Sequence, residues 1–332
     1  MPFCLYKLRF SGPVHFGADQ VGIGVEMTKP ICRADTFFSA YCHGLRALHG
    51  RERLEKWLKT YLEEPPWLIS DLLPYRGDNL YWPRPHWQPK LANTTEEVDK
   101  NSSATRKSWK KWEYLPLDHW QKYVEALAKG SRPDLPSEEF ASPWVDSTQT
   151  RVGISYSDQT ELYQVGLTYF KDKAGLAVLV AWHDKPHEEF EEILEYLAES
   201  GIGGERSTGC GRFVIEDCYD PADSDSSADR LLTARSDPQP GEKLVMSLST
   251  FSPDPAELTT ELLDASSYHL VPRRGFAASP DAERARRRKS VWMLGSGSVL
   301  SKRVNGRMLD VAPEGFPHRV WRYGHPLWVR VW

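Results

Sequence analysis

The chain has 332 residues and a formal net charge of −4, from 42 Lys+Arg against 46 Asp+Glu. That length holds one large or two medium domains, and that charge excludes a uniformly basic nucleic-acid binder. No run approaches the roughly 18 apolar residues of a membrane helix, and the opening "MPFCLYKLRF" lacks the order of a signal peptide, so a cytoplasmic protein without membrane contact is expected.

The first element reads as a strand, with Cys4, Tyr6, Leu8 and Phe10 alternating against Lys7 and Arg9. After the loop "SGPVHFGADQVGIG", Asp35 reads as the N-cap of a helix whose apolar face carries Phe37, Phe38, Tyr41, Leu45 and Leu48. A further helical piece is expected near 51–62, then an irregular Pro- and Trp-rich excursion, "LPYRGDNLYWPRPHWQP". The polar segment 91–108 is the best candidate for a mobile tip, and the insertion as a whole is placed at about 63–145. Strands return with "TRVGISY", "ELYQVGLTYF" and "GLAVLVAW". A helix follows, with Phe190, Ile193, Leu194, Leu197 and Ala198 on one face, and then "CGRFVIED" reads as a strand.

Between that helix and that strand lies "SGIGGERSTGCGRF". It is not a Walker loop, because no lysine follows Gly209, and it is not a dinucleotide fingerprint, because the helix precedes it. A left-handed helix cap at Gly201 explains one of its five glycines. The rival reading is a backbone stripped of Cβ atoms for an anion. The amides around Gly203, Gly204 and Gly209 would then approach phosphates, with Arg206 and Arg212 supplying charge.

Without the insertion, the order is strand–helix–strand–strand–helix–strand, the split βαβ unit. The Pro-, Asp- and Ser-rich stretch 219–242 marks a boundary, after which a second β-rich unit runs from "KLVMSLSTF" to "HPLWVRVW". The expected fold is therefore α+β. It comprises a ferredoxin-like (RRM-like) βαββαβ unit over 1–218, a linker over 219–242 and a second such unit over 243–332. Three basic runs, 106–112, 273–290 and 301–307, interrupt this acidic-to-neutral chain and favour a localised anionic partner. The five cysteines form no C-x-x-C pair, so neither a disulfide framework nor a cysteine metal site is expected.

Two such units with a glycine-rich loop before the first unit's last strand resemble the RAMP superfamily of CRISPR RNA-binding proteins. An ordered set of stretches narrows the resemblance: "LYKLRFSGPVHFG", "ICRADTFFSAYCHGL", "LYWPRP", "KKWEYLPL", "TRVGISYSDQTELYQVG", "GSGSVL" and "HRVWRYGHPLWV". They are similar to landmarks of the type III-A (Csm) effector subunit that caps the 5′ end of the guide RNA, and the last two favour that branch over type III-B. The resemblance implies a non-catalytic RNA-binding subunit that needs no cofactor or metal. Its partners would be the crRNA 5′ tag, the large polymerase-like subunit and the backbone RAMP subunit. The expected RNA-binding residues are His15, Gly17, Arg33, Arg151, Gly203, Gly204, Arg206, Ser207, Gly209, Gly211 and Arg212. Family members often carry a basic residue where Glu205 stands, and an Arg where Ser155 or Tyr156 stands.

The rival class is a RAMP endoribonuclease that processes CRISPR repeat RNA, with His15 as general base. Such cleavage needs a paired acid and base, and none of the ten histidines forms an H-x-x-x-H cluster. A packing or RNA-contact role for His15 is expected instead. The carboxylate-dense "DCYDPADSDSSAD" reads as a solvated acidic stretch rather than a metal site.

Overall fold

The computed structural model describes residues 1–17, 26–87, 112–129, 131, 142–154, 160–236, 238, 241 and 244–331. The polar segment 91–108, Ser155, Tyr156 and all of the basic run 106–112 but Trp112 lie outside the described residues. The chain is mixed α+β and opens with strand β1 (Phe3–Phe10) and helix α1 (Ala34–Glu63). α1 merges the two expected helices, and Gly50, at φ 81° and ψ 177°, breaks it between them. Asp35 is not the N-cap. Arg33 holds that position without a capping side-chain hydrogen bond, and the Ala34 N–H donates to Asp71 Oδ1 at 2.8 Å. A distant carboxylate thus satisfies one of the orphan N–H groups of the helix's first turn.

Short strands β2 (Trp67–Ile69), β3 (Leu73–Arg76), β4 (Asn79–Pro83) and β5 (Tyr114–Pro116) lead to helix α2 (Leu117–Ala128). Next come a long hairpin of β6 (Trp144–Ile154) and β7 (Thr160–Phe170), then β8 (Ala174–Trp182), α3 (Glu188–Ser200) and β9 (Phe213–Tyr219). The main sheet has seven strands in the order β5-β4-β3-β8-β1-β9, with β2 also on β8. β1 runs antiparallel to β8 and β9, and β8 runs antiparallel to β2 and β3. The strands on the far side of β8 from β1, namely β2 and β3, therefore fall inside the stretch expected as insertion. β6 and β7 pair with each other instead, tied to β1's loop by the Val14–Thr168 bridge. Prolines at 74 and 83 keep these strands short, which hid their place in the sheet.

The sheet is covered on both faces, so β8 reads as a continuous apolar run. Leu176, Val178, Val180 and Trp182 face the core built with α1 and α3. Ala177, Leu179 and Ala181 face a second core with Trp120 of α2, Met246 and Val329. The same double cover buries Lys7, on the face opposite Tyr6 and Leu8: its ammonium donates to the Gly77 carbonyl at 3.4 Å and lies over the Tyr75 and Tyr219 rings. One aromatic cluster gathers around Trp67, joining Phe38, Tyr41, Trp57, Tyr61 and Phe190.

The stretch expected as a linker is partly ordered into helix α4 (Ser227–Arg235), capped by Ser226 and packed into the second core through Ala228 and Leu232. Its Asp229 is buried and accepts from the Tyr219 and Ser224 hydroxyls, so this acidic stretch is not wholly solvated.

The second unit carries β10 (Val245–Ser247), α5 (Thr260–Asp264), β11 (Leu270–Arg273), β12 (Phe276–Ala277), β13 (Arg286–Arg287), β14 (Val291–Leu294) and β15 (Val299–Leu300). β16 (Leu309–Asp310), β17 (Trp321–Arg322) and β18 (Trp328–Arg330) complete it. Among the described residues its largest sheet is three-stranded, β15-β10-β18, not the four-stranded sheet expected. Isolated bridges extend the pattern: Ser267 pairs with Val299, and Phe251 with Leu294, while β11 pairs with β14. "GSGS" at 295–298 interrupts what would otherwise be one strand from Val291 to Leu300. Tyr323 binds the two units: its ring packs on Phe38, and its hydroxyl accepts from the Ile69 N–H at 3.0 Å. No helix among the described residues is long and apolar enough to cross a membrane.

Candidate nucleic-acid interface at the glycine-rich loop

The loop leaves α3 at Gly201, whose N–H donates to Leu197 O at 2.8 Å. Ile202 then turns inward, fully buried, and its N–H donates to Gly211 O at 3.0 Å. A short 3-10 turn, Arg206–Thr208, follows Glu205, which sits in the left-handed region at φ 57°. The base of this knot rests on the "GPVHF" loop after β1. Gly204 N–H donates to His15 O and Gly211 N–H to Pro13 O, both at 2.9 Å.

This seating explains the glycines better than a cap does. A Cβ on Gly201 would lie 2.7 Å from Cys210 O, on Gly203 2.7 Å from His15 O, and on Gly204 2.7 Å from His15 Cδ2. One on Gly211 would overlap the Ile202 carbonyl, whereas Gly209, at φ +90°, faces open space. Four of the five glycines therefore let chain pack against chain. The amides of Gly204 and Gly209, expected to face phosphates, are engaged within the chain, the latter by Arg206 O at 3.0 Å. What the loop presents outward is side chains: Arg206, Ser207, Thr208 and Arg212 are exposed.

His15 is 7% exposed and its Nδ1 lies 2.7 Å from Gly166 O. It props Gly203 and Gly204 and ties the loop to β7. Arg151, on β6, reaches the same knot: its Nη1 pairs with Glu205 at 2.5 Å and donates to Thr208 Oγ1 at 2.9 Å. The acid at 205 thus has a structural partner on the hairpin. Gly17, two residues beyond His15, bridges to Thr28. Arg33 is not part of this group. It donates to Thr250 Oγ1 at 2.8 Å and sits 3.7 Å from Asp71, lining another cleft.

Beside the loop opens a cleft of about 420 Å³ between the glycine turn, the start of α1 and the second unit. Arg206, Arg273, Arg274, Arg288 and Arg322 line it against one carboxylate, Asp35. Asp35 is buried and takes Arg273 in two hydrogen bonds of 2.9 and 3.1 Å, and Arg322 beside it. Burial alone would raise the Asp35 carboxyl, but Arg273 and Arg322 hold it well below its ordinary range. Burial, reinforced by Arg322, pushes Arg288 down to about 10, against the pull of Asp35. His43, also on the wall, is held below the ordinary histidine value by burial and then by Arg206, Arg288, Arg46 and His318. Such a surplus of confined positive charge is relieved by an anion.

Sequence reasoning marked the run 273–290 as basic without choosing among its arginines. The structure separates them. Arg273, Arg274 and Arg288 reach the cleft, whereas Arg286 donates to Glu314 O at 3.2 Å and Arg287 lies over the Phe276 ring. Arg322, in "VWRYGHP", was missed because no local pattern separates a buried arginine from a surface one. Among the described residues there is no cluster of three or more His, Cys, Asp or Glu that could hold a metal ion.

Comparison with known proteins joins these features. The RAMP superfamily model matches residues 7–214, and the CRISPR Csm4 C-terminal domain model matches 241–331. The chain is 30% identical over 332 residues to the CRISPR system Cms protein Csm4 of Streptococcus thermophilus, covering 100% of this chain and 99% of that protein. It is 28% identical to that of Mycobacterium tuberculosis strain H37Rv over 328 residues, covering 96% and 94%. Among solved structures, a chain of a Csm3-Csm4 subcomplex in the type III-A CRISPR-Cas interference complex gives a TM-score of 0.61 at 14% identity, covering 99% of each chain. A chain of a Csm1-Csm4 cassette in complex with cA4 gives 0.59 at 21%, covering 99% of this chain and 98% of that one. At those identities the structural likeness concerns the fold.

Proposed function

The chain belongs to the Csm4 family of the RAMP superfamily, and from that premise we propose that it is a non-catalytic RNA-binding subunit of a type III-A CRISPR interference complex. In this reading it holds the 5′ repeat-derived tag of crRNA and joins the large polymerase-like subunit to the backbone RAMP subunit, in the cytoplasm. The observation that carries the reading is the cleft at the glycine loop, where five arginines face one buried carboxylate. Phosphates supply the missing negative charge, and the exposed Arg206, Ser207 and Arg274 give a single strand a polar rim.

The pairing supports two ferredoxin-like units, with boundaries near 1–218 and 243–332. In the first, β9-β1-β8-β2/β3 is the antiparallel order of such a unit. In the second, β18-β10-β15 with the Ser267 bridge repeats it, with α5 as first helix and 301–327 in place of the second. Csm1 and Csm3, named beside Csm4 in the similar structures, are the protein partners this reading assigns.

The endoribonuclease reading asks His15 to act as a base, and its burial between Gly166 O and the Gly204 backbone supports a packing role instead. Sequencing the RNA that copurifies with the complex, and incubating the purified chain with repeat RNA with and without EDTA, test the proposal together. Short RNAs with one shared 5′ tag and no cleavage are the expected results. Specific cleavage lost in His15→Ala would replace the binding reading with the ribonuclease.

A further inference from the structure

Away from the glycine loop, beyond the start of α1, two adjoining clefts of about 370 and 270 Å³ share Lys29, Glu113 and Tyr114 as their common wall. Their chemistry differs. The larger is cationic: Arg33, Arg84 and Lys29 line it, with the His86 and His269 rings 4.1 Å apart at its side. The smaller is aromatic: Trp112, Tyr114 and Trp144 stand half-buried around it, and Tyr81 is buried at its wall. Tyr114 and Trp144 meet edge to face, centroids 6.3 Å apart and planes 82° apart, so the two rings form a corner rather than a closed stack.

Charge orients an occupant. Asp146 lines the aromatic cleft, and Glu113 stands on the shared wall. Two carboxylates beside three aromatic rings repel a phosphate but accept from the amino edge of a base. Arg84 on the cationic side and Lys29 on the shared wall attract the phosphate; Lys29 now pairs with Glu113 at 2.8 Å, an exchangeable partner at the surface. A group with a planar base at one end and an anion at the other fits both halves.

We propose that the paired clefts form a nucleotide subsite for single-stranded RNA, with the base against Tyr114 and Trp144 and its phosphate on Arg84 and Lys29. The subsite rests on the RNA-binding reading and extends it to a face that the glycine-loop cleft does not reach. β11 lies between the two faces: Leu270 and Val271 border the cationic cleft and Arg273 the glycine-loop cleft. A strand of several nucleotides could therefore engage both.

The test uses the full chain with a 5′-tag RNA oligonucleotide carrying 4-thiouridine or 6-thioguanosine at successive positions. Crosslinked peptides are mapped by mass spectrometry, and affinity is read by fluorescence anisotropy. The proposal expects crosslinks to the peptides holding Trp112–Tyr114 and Trp144. Trp144→Ala should weaken binding about 5- to 150-fold, the range of a lost base–aromatic stack, while Trp144→Phe, which keeps the ring, should bind within a few-fold of the parent. Arg84→Ala should weaken binding and lower its salt slope, and Arg206→Ala should leave the Trp144 crosslink in place. If RNA binds but crosslinks only to 200–213, and Trp144→Ala and Arg84→Ala bind like the parent, the subsite is refuted and the glycine-loop reading stands. If neither the chain nor its complex binds tag RNA, both are refuted.

Discussion

Gly203 and Gly209 offer a paired test of why the loop is rich in glycine. Both have φ near +90°, at 92° and 90°, so alanine at either meets backbone strain of about 1–2 kcal/mol. Gly209 adds nothing further, because its Cβ would point into open space. At Gly203 the new Cβ would sit 2.7 Å from His15 O and 2.9 Å from the Phe16 ring, where ordinary carbon contacts lie near 3.5–4.0 Å. Relieving that overlap moves His15, whose carbonyl holds the Gly204 N–H at 2.9 Å and whose ring meets Gly166 O at 2.7 Å. Overpacking of this kind costs about 1–3 kcal/mol. Gly203→Ala should thus lose about 2–5 kcal/mol and Gly209→Ala about 1–2 kcal/mol, read as urea-unfolding midpoints by circular dichroism. Equal losses, or a milder loss at Gly203, would refute the packing account of the loop.

Two further outcomes follow from the cleft. Asp35→Asn leaves Arg273 and the buried Arg322 without their carboxylate and should cost about 3–5 kcal/mol, the range for breaking a buried ion pair; a urea-derived stability within about 1 kcal/mol of the parent would contradict the reading of Asp35 as the carboxylate that holds both arginines. His43 titrates below about 6.5 in the folded chain, because of burial and then Arg206, Arg288, Arg46 and His318, so the unfolded chain binds its proton more tightly. Its contribution to stability should fall as pH drops below about 6.5, and an anion in the cleft should favour protonation, so RNA affinity should rise over the same window. Affinity titrations of the parent and His43→Gln between pH 5 and 7 check this: the variant should show the shallower pH dependence.

Legibility in the sequence followed the range of the forces involved. The helix–loop–strand at 188–219 was readable because Phe190, Ile193, Leu194 and Leu197 repeat at helical spacing and the glycines interrupt them. β8 was readable as an apolar run, although its double cover, and hence the burial of Lys7, depended on the second unit docking below it. Asp35 was misplaced as a cap because the acceptor that holds Ala34 is Asp71, far along the chain. β2 and β3 were lost in the insertion because each is only three or four residues long and Pro74 masks the pattern. At the site, the loop and Arg206 were evident, but the convergence of Arg273, Arg288 and Arg322 on it was not. That depends on how the two units pack, a property no local window contains.

The most direct measurement is the salt dependence of tag-RNA affinity for the parent, Arg206→Ala and Arg274→Ala. Both arginines are exposed at the cleft rim, so their removal leaves the buried Asp35 network in place. Each variant should bind more weakly, with the log–log salt slope flattened by about 0.7 for the lost single-strand phosphate contact. Affinities and slopes equal to the parent's for both variants would contradict an RNA site at the glycine loop.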